Sequence, residues 1–244
     1  MSGSYFSELY IQKYLSLNDE ATMDRRLSKL EAEVILDEIP AKAPVLAMGL
    51  GHGSEIELLL DRFESCEVVE FSPLLCKLAK SKHGARLVVH QDNFETFTPQ
   101  AKYETIMATA VLHHVLDPAT VIRQATKWLK PGGNLLVTVP NAYSVHRALG
   151  QMLGLVRSVR NLSETAKESG VRHTFSPEDL KTLLEDSGLK VIRQLRTFVK
   201  FTSYQEMTAL SDRDLKELFE VAKIVAPEFH ATIAYLCTVQ DDLE

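Results

Sequence analysis

Gly49, Gly51 and Gly53 form a G-x-G-x-G turn directly after the short apolar run Val45–Leu46–Ala47–Met48. Glycines let the chain turn sharply and let a ligand come close to the backbone. The spacing excludes two common nucleotide turns. A dinucleotide G-x-G-x-x-G fingerprint would need a glycine at position 54, where Ser54 stands, and no Gly-Lys-Ser/Thr ending marks a P-loop. The turn suits a ligand that lays an aminoalkyl group and a ribose against the backbone. Glu70, roughly 20 residues on, is placed to accept both hydroxyls of a ribose diol. Asp92–Asn93 can accept from an exocyclic adenine amine, and the next backbone N–H can donate to the ring. His113 and His114 supply side chains that titrate near neutrality, the type needed to remove a proton from an oxygen nucleophile. If strand geometry continues through them, they point to opposite sides and only one faces a substrate. His173, before Thr174–Phe175–Ser176, is a second base candidate from the opposite rim. His52 reads as a neighbour of the bound ligand rather than a base. Arg25 and Arg26 can reach a ligand carboxylate from an N-terminal helix. No Asp/Asn/His set with metal-ligand spacing is found, so no metal is expected.

These residues fall at the ends of predicted strands. Thr22 to Ile39 reads as a helix with Leu27, Leu30, Val34 and Ile35 on one face, ended by Pro40 and Pro44. Val45–Met48 is a first strand, and Ser54 is expected to cap the helix after the glycine turn. Glu67–Phe71 is a second strand, followed by a helix with Ser72 as cap and Pro73 at its first position. Arg86–His90 is a third strand and Tyr103–Ala108 a fourth. A helix over Pro118–Leu129 stops at Lys130–Pro131–Gly132–Gly133, and Asn134–Pro140 is a fifth strand. Ala142 to Glu168 has helical periodicity without a clean stop. Ser176–Pro177–Glu178 opens a helix to Ser187. Val191–Phe201 is an extended candidate, Asp212–Val225 a helix and Ala231–Val239 a final strand. Strands alternating with helices predict an α/β fold, a Rossmann-like three-layer sandwich with a mostly parallel sheet. We expect one domain over 1–244, with a helical cap at 1–40, a ligand-binding core at 41–140 and a substrate-side cap with the last strands at 141–244.

Composition is consistent with this reading. The chain has 244 residues, 45% hydrophobic and 25% charged, as in soluble globular proteins. Lys plus Arg is 27 against 33 Asp plus Glu, a net charge of −6, which argues against a nucleic-acid partner. Met1 to Leu17 lacks the apolar core of a signal peptide, and no run approaches the ~18 apolar residues of a membrane span. Cys66, Cys76 and Cys237 are scattered without a CxxC pair, which suits a reducing compartment. The expected location is the cytoplasm, with no membrane partner. Tyr5, Phe6, Tyr10 and Tyr14 make an aromatic opening segment that can lid a site.

The motifs resemble, in order, those of class I S-adenosylmethionine-dependent methyltransferases. "VLAMGLGHG" (Val45–Gly53) resembles their first motif, and "VVEFSPLLCKLAK" (Val68–Lys80) the second, with its ribose acid. "HQDNFETF" (His90–Phe97) is similar to the adenine-contacting segment. "TAVLHHVLDP" (Thr109–Pro118) and "LKPGGNLLVTVPN" (Leu129–Asn141) are similar to the segments around the fourth and fifth strands. The tail resembles small bacterial methyltransferases of polysaccharide and natural-product pathways. The resemblance implies a seven-stranded sheet and S-adenosyl-L-methionine as cofactor, held by Gly49, Leu50, Gly51, Gly53, Glu70, Phe71, Asp92, Asn93, Phe94, Ala110 and Arg26. It implies methyl transfer to a small polar acceptor, read as a hydroxyl of a sugar-like metabolite, with His113, His114 and His173 as candidate catalytic groups. Two positions depart from the pattern: Ala47 stands where the first motif carries an acid, and His113 where a glutamate is usual. Three other readings stay open. They are N-methylation of a small amine, a non-catalytic adenosyl-cofactor-binding accessory protein, and an NAD(P)-dependent oxidoreductase. Ser54 and the histidine pair count against the last.

Overall fold

The computed structural model describes residues 22–41, 43–51 and 53–240. The aromatic segment Tyr5, Phe6, Tyr10 and Tyr14, and His52, lie outside the described residues.

Helix α1 (Met23–Asp37) turns Met23, Leu27, Ile35 and Leu36 inward, the spacing of one helical face. Strand β1 (Val45–Met48) is buried along its whole length. After the glycine turn come α2 (Ser54–Arg62), β2 (Cys66–Glu70), α3 (Pro73–His83), β3 (Leu87–Gln91), β4 (Tyr103–Thr109), α4 (Pro118–Trp128) and β5 (Leu129–Pro140). The rest of the chain builds α5 (Val145–Met152), α6 (Glu164–Glu168), α7 (Pro177–Glu185), β6 (Leu189–Leu195), α8 (Tyr204–Met207), α9 (Asp212–Val221) and β7 (Thr232–Val239).

Local chemistry sets most of these boundaries. Ser72 Oγ accepts from the Leu75 amide at 3.3 Å, with Pro73 at the first helical position of α3. Asp117 caps α4 by accepting from the amides of Ala119 and Thr120. Ser176 and Asp179 form a reciprocal capping box on α7.

Four expectations need correction. Ser54 is the first residue of α2 rather than its cap; Gly53 caps the helix in the left-handed region (φ +78°) with no side-chain bond. Residues 142–168 form two short helices rather than one. Gly154 (φ +73°) turns the chain after α5, and the Arg147 guanidinium bonds the carbonyls of Val159 and Asn161, holding the loop. The 191–201 run is strand only to Leu195. β5 begins at Leu129, earlier than expected. Tyr103 pairs with Leu129 and Thr105 with Asn134, so residues 130–133 bulge between two ladder positions. Gly133 is required there, because a Cβ on it would lie 2.9 Å from the Lys130 carbonyl oxygen and 3.1 Å from that of Tyr103.

The sheet has seven strands in the order β3-β2-β1-β4-β5-β7-β6. The pairs β1–β2, β1–β4, β2–β3 and β4–β5 are parallel, and β7 runs antiparallel to both its neighbours. Alternate strand residues face opposite layers. Leu46, Met48, Ile106, Leu135 and Val137 pack with Val121, Ile122 and Trp128 of α4 and with Leu180 and Leu184 of α7. Val45, Ala47, Val68, Met107 and Leu136 pack with Ile35 and Leu36 of α1 and with Ile56 and Leu59 of α2. A smaller cluster joins Met23 and Leu27 of α1 to Phe198, Met207, Leu215 and Phe219, fastening the late helices to the N-terminal one. The strand order reverses between β1 and β4. The carboxyl ends of strands at such a switch point leave a crevice that loops cannot fill. Among the described residues no helix is long and apolar enough to cross a membrane.

Candidate active site

A cavity of about 330 Å³ opens at this crevice, within the ~300–1,000 Å³ typical of small-molecule sites. Its floor is the glycine turn. Gly49 takes φ +81°, and a Cβ added to it would lie 3.9 Å from Phe94 and Val111 and 4.0 Å from Glu70 Oε2. The missing side chain therefore keeps open the point where those three groups converge. Gly51 and Leu50 also line the cavity.

Glu70, at the end of β2, is 5% exposed. Its Oε1 accepts from the Ser72 amide at 2.8 Å and its Oε2 from the Leu50 amide at 3.2 Å. The Phe71 amide also bonds this carboxylate. A carboxylate offers about four lone-pair directions, so it keeps room for a further donor such as a ligand hydroxyl. Burial raises the Glu70 pKa, while the bonds from the backbone amides of Ser72, Leu50 and Phe71 oppose the shift. Phe71 and Leu75 continue the wall. After β3, Asp92 Oδ1 accepts from the Asn93 amide at 2.7 Å and the Thr96 hydroxyl at 2.6 Å, which fixes the turn carrying Asp92, Asn93 and Phe94 into the lining.

β4 ends in a strained residue. Ala110 has φ +54° and is the one non-glycine residue with positive φ among those described. Its amide donates to both the carbonyl and the hydroxyl of Thr138, each at 3.0 Å. The chain leaves the strand there and turns. His113 and His114 therefore do not alternate across a sheet as expected: their ring centroids are 4.0 Å apart and both line the cavity. Burial, followed by the neighbouring His114 and His173, holds the His113 pKa well below the ordinary imidazole value. Nδ1 of His113 is buried without a hydrogen-bond partner among the described residues.

Three candidate residues lie elsewhere. Arg26 is bonded to Asp212 Oδ1 at 2.6 Å and to the Leu210 carbonyl at 2.9 Å, tying α1 to α9, and does not line the cavity. His173 lies in a shallower depression, where its Nε2 donates to the Val115 carbonyl at 2.9 Å. It braces the histidine loop from behind, and the amides of Arg172 and His173 bond the His113 carbonyl. Gly53 shapes the entry to α2, outside the lining.

Sequence reasoning missed the cap side of the cavity. Asp24, Ser28 and Glu31 of α1, Tyr204 of α8, Thr138 of β5 and Thr232 of β7 all line it. Their positions on distant elements carry no spacing signal, and Glu31 reads as a solvated helix residue. In the structure, the enclosed Glu31 carboxylate bonds Thr232, and burial pushes its pKa up to about 7. Glu55 on α2 accepts from the Thr109 hydroxyl at 2.5 Å, and burial likewise pushes it up to about 7.

A family model described as a methyltransferase domain matches residues 19–194. The chain belongs to that family, within the class I S-adenosylmethionine-dependent methyltransferases. Trans-aconitate 2-methyltransferase of Azoarcus sp. (strain BH72) is 30% identical over 146 residues, covering 59% of this chain and 56% of that protein. The human mitochondrial ubiquinone biosynthesis O-methyltransferase is 31% identical over 122 residues, covering 50% of this chain and 30% of that protein. The chain thus spans about half or less of the length of these two relatives. The fold matches an S-adenosylmethionine-dependent methyltransferase from Thermotoga maritima with a TM-score of 0.65 at 18% identity, covering 94% and 98% of the two chains. It matches N-methyltransferase NodS from Bradyrhizobium japonicum WM9 in complex with S-adenosyl-L-homocysteine with a TM-score of 0.57 at 16% identity, covering 93% and 98%.

The residues present fit an adenosyl cofactor. The open cradle above Gly49 leaves space for it, and the buried Glu70 carboxylate keeps room to accept from a ribose hydroxyl beside its backbone bonds.

Proposed function

We propose that this methyltransferase moves a methyl group from S-adenosylmethionine to a hydroxyl of a small, uncharged polar acceptor such as a sugar-like metabolite, with His113 as the base. The observation that carries this reading is the buried His113 ring, 6% exposed, on a residue that lines the cavity and whose Nδ1 has no hydrogen-bond partner among the described residues. Its lowered pKa keeps it neutral at pH 7, the form that accepts a proton.

The cofactor, when bound, supplies an electrophilic methyl on a sulfonium. This chain's residues do the rest. Glu70, Leu50 and Gly49 orient the nucleoside end, and Asp92 with Asn93 meets the base. The turn at Ala110 delivers the histidine loop to the same cleft, so nucleophile and methyl can be held in line, an arrangement worth up to ~7–11 kcal/mol of the barrier. The described lining contains Asp24, Glu31, Glu70, Asp92 and Glu95 but no Lys or Arg. An anionic acceptor would meet like charge there, so the acid named for the Azoarcus relative is a poor model. The oxygen acceptor implied by the human relative's name is a better one. The same acidic lining and the net charge of −6 speak for a small molecule over nucleic acid. Three buried free cysteines suit a cytoplasmic setting.

The test is an acceptor screen with purified protein, followed by His113→Ala on the best acceptor. The expected result is a neutral hydroxyl compound as acceptor and a loss of about 10²–10⁴ in kcat, with S-adenosylhomocysteine affinity retained. His173→Ala should lose much less. Turnover within threefold of wild type in His113→Ala, with an amine as best acceptor, would replace this reading by N-methylation.

A further inference from the structure

Glu31 and Glu55 come from different helices of one layer, α1 and α2. Glu31 lines the end of the cleft, and Glu55 sits behind the lining residue Thr109, close enough for its charge to raise the Glu31 pKa. Glu31 reaches Thr232 at the start of β7, and Glu55 reaches Thr109 at the end of β4. Both threonines line the cavity, as does Glu31 itself. Each hydroxyl occupies one carboxylate oxygen. The other, Oε1 in both residues, is buried and has no hydrogen-bond partner among the described residues. A buried polar atom without a partner is costly, and here two acceptors of the same sign are left open together. On the sheet, Ala47 packs in the same layer with Ile35, Ile56 and Leu59 and carries no charge to offset them.

An unsatisfied pair of carboxylate oxygens calls for a compact cation with several N–H donors. Arginine and lysine are absent from the described lining. Resting on the cofactor reading above, we propose that Glu31 and Glu55 form the site for an ammonium group, that of the amino-acid part of the adenosyl cofactor, and so set cofactor affinity from outside the glycine turn. The nucleoside contacts of Glu70 and Asp92 lie on the β2–β3 side of Gly49, and the glutamate pair lies on the β4–β7 side, so one extended ligand can span both.

The pair also predicts a proton signature. Without ligand, burial pushes both carboxyls up to about 7, so near pH 7 each is partly protonated. Glu55 of α2 and Asp24 of α1 add to the rise of Glu31. The glutamates in turn help push the Tyr204 hydroxyl of α8 and the Cys66 thiol of β2 up, so both stay neutral, and the Lys200 ammonium sits over the Tyr204 ring. Binding of an ammonium ionises both glutamates and releases those protons.

The experiment compares S-adenosylhomocysteine, which has the amino-acid part, with 5′-methylthioadenosine, which lacks it. Isothermal titration at pH 7 in two buffers of different ionisation enthalpy gives affinity and proton release together. Glu31→Gln and Glu55→Gln are nearly isosteric and keep the threonine bonds, and a thermal melt confirms that each is folded. The expected result is about tenfold or greater weakening of S-adenosylhomocysteine in each variant, 5′-methylthioadenosine unchanged within twofold, and proton release only with the first ligand. Unchanged S-adenosylhomocysteine affinity overturns the proposal, even if an amine acceptor then binds less well. Equal weakening of both ligands also overturns it, since the carboxylates then serve only the fold. Failure of wild type to bind either ligand defeats the cofactor reading itself, a distinct result.

Discussion

Consider Glu70→Gln. The native carboxylate takes backbone N–H bonds on both oxygens, on Oε1 from Ser72 at 2.8 Å and on Oε2 from Leu50 at 3.2 Å, with the Phe71 amide as a further donor. The amide has one oxygen and one NH₂, so it can keep only one of the two. The other amide of the pair then faces a donor and is left buried without an acceptor, at a cost of about 1–3 kcal/mol. For a domain of this size that lowers the melting temperature by roughly 2–12 °C. Ligand binding suffers separately. The lone pair on the lost oxygen no longer meets a ribose hydroxyl, and the remaining bond is no longer charge-assisted. Losing about 3 kcal/mol of charged hydrogen bonding corresponds to roughly 10²-fold in Kd. Titration with S-adenosylhomocysteine and with 5′-methylthioadenosine, together with a thermal melt, reads both effects. Both ligands carry the ribose, so both must weaken alike, unlike the outcome expected at Glu31 and Glu55. A variant that melts lower yet binds either ligand within threefold of wild type would refute the assignment of Glu70 to the sugar. Its role would then be to staple the glycine turn to β2.

Ala110→Gly removes the left-handed strain at the end of β4 (φ +54°), worth about 1–2 kcal/mol for an L-residue and partly offset by the greater freedom of glycine when unfolded. A net rise of roughly 1–3 °C in melting temperature is expected, read by calorimetry; a fall would show that the strain is not carried there. Glu55→Gln should change the pH dependence of stability. The folded pKa of about 7 lies above the ordinary 4.5, so protonation favours the native state. The wild type therefore holds this stability below pH 4.5 and loses it as pH rises through about 7, on the order of 3 kcal/mol. Without ligand, the variant should melt several degrees above wild type at pH 8 and no higher than it at pH 4.5. Equal offsets at both pH values would contradict the shift.

The sequence by itself determined the strand-helix order, the glycine turn and the acid that ends β2, because these signals are local. Periodicity marks a buried face, glycine marks a turn, and a strand-end position marks the crevice side of the sheet. The cavity-lining set Gly49, Glu70, Asp92 and Asn93 was legible for that reason. The tertiary structure decided what depends on elements far apart in the chain. Strand alternation gave the wrong orientation for His113 and His114, because the tertiary pairing of Ala110 with Thr138 turns the chain before they are reached. Arg26 looked free to reach a ligand until α9 brought Asp212 to it. His173 proved to be a brace, since its loop packs behind the histidine turn. Glu31 and Glu55 gave no sign of a shared role, because a carboxylate on a helix reads as solvated until the sheet, the neighbouring helix and a threonine close around it. Burial and partners are properties of the assembled layers, and those two quantities shift the pKa values of Glu31, Glu55, Glu70 and His113.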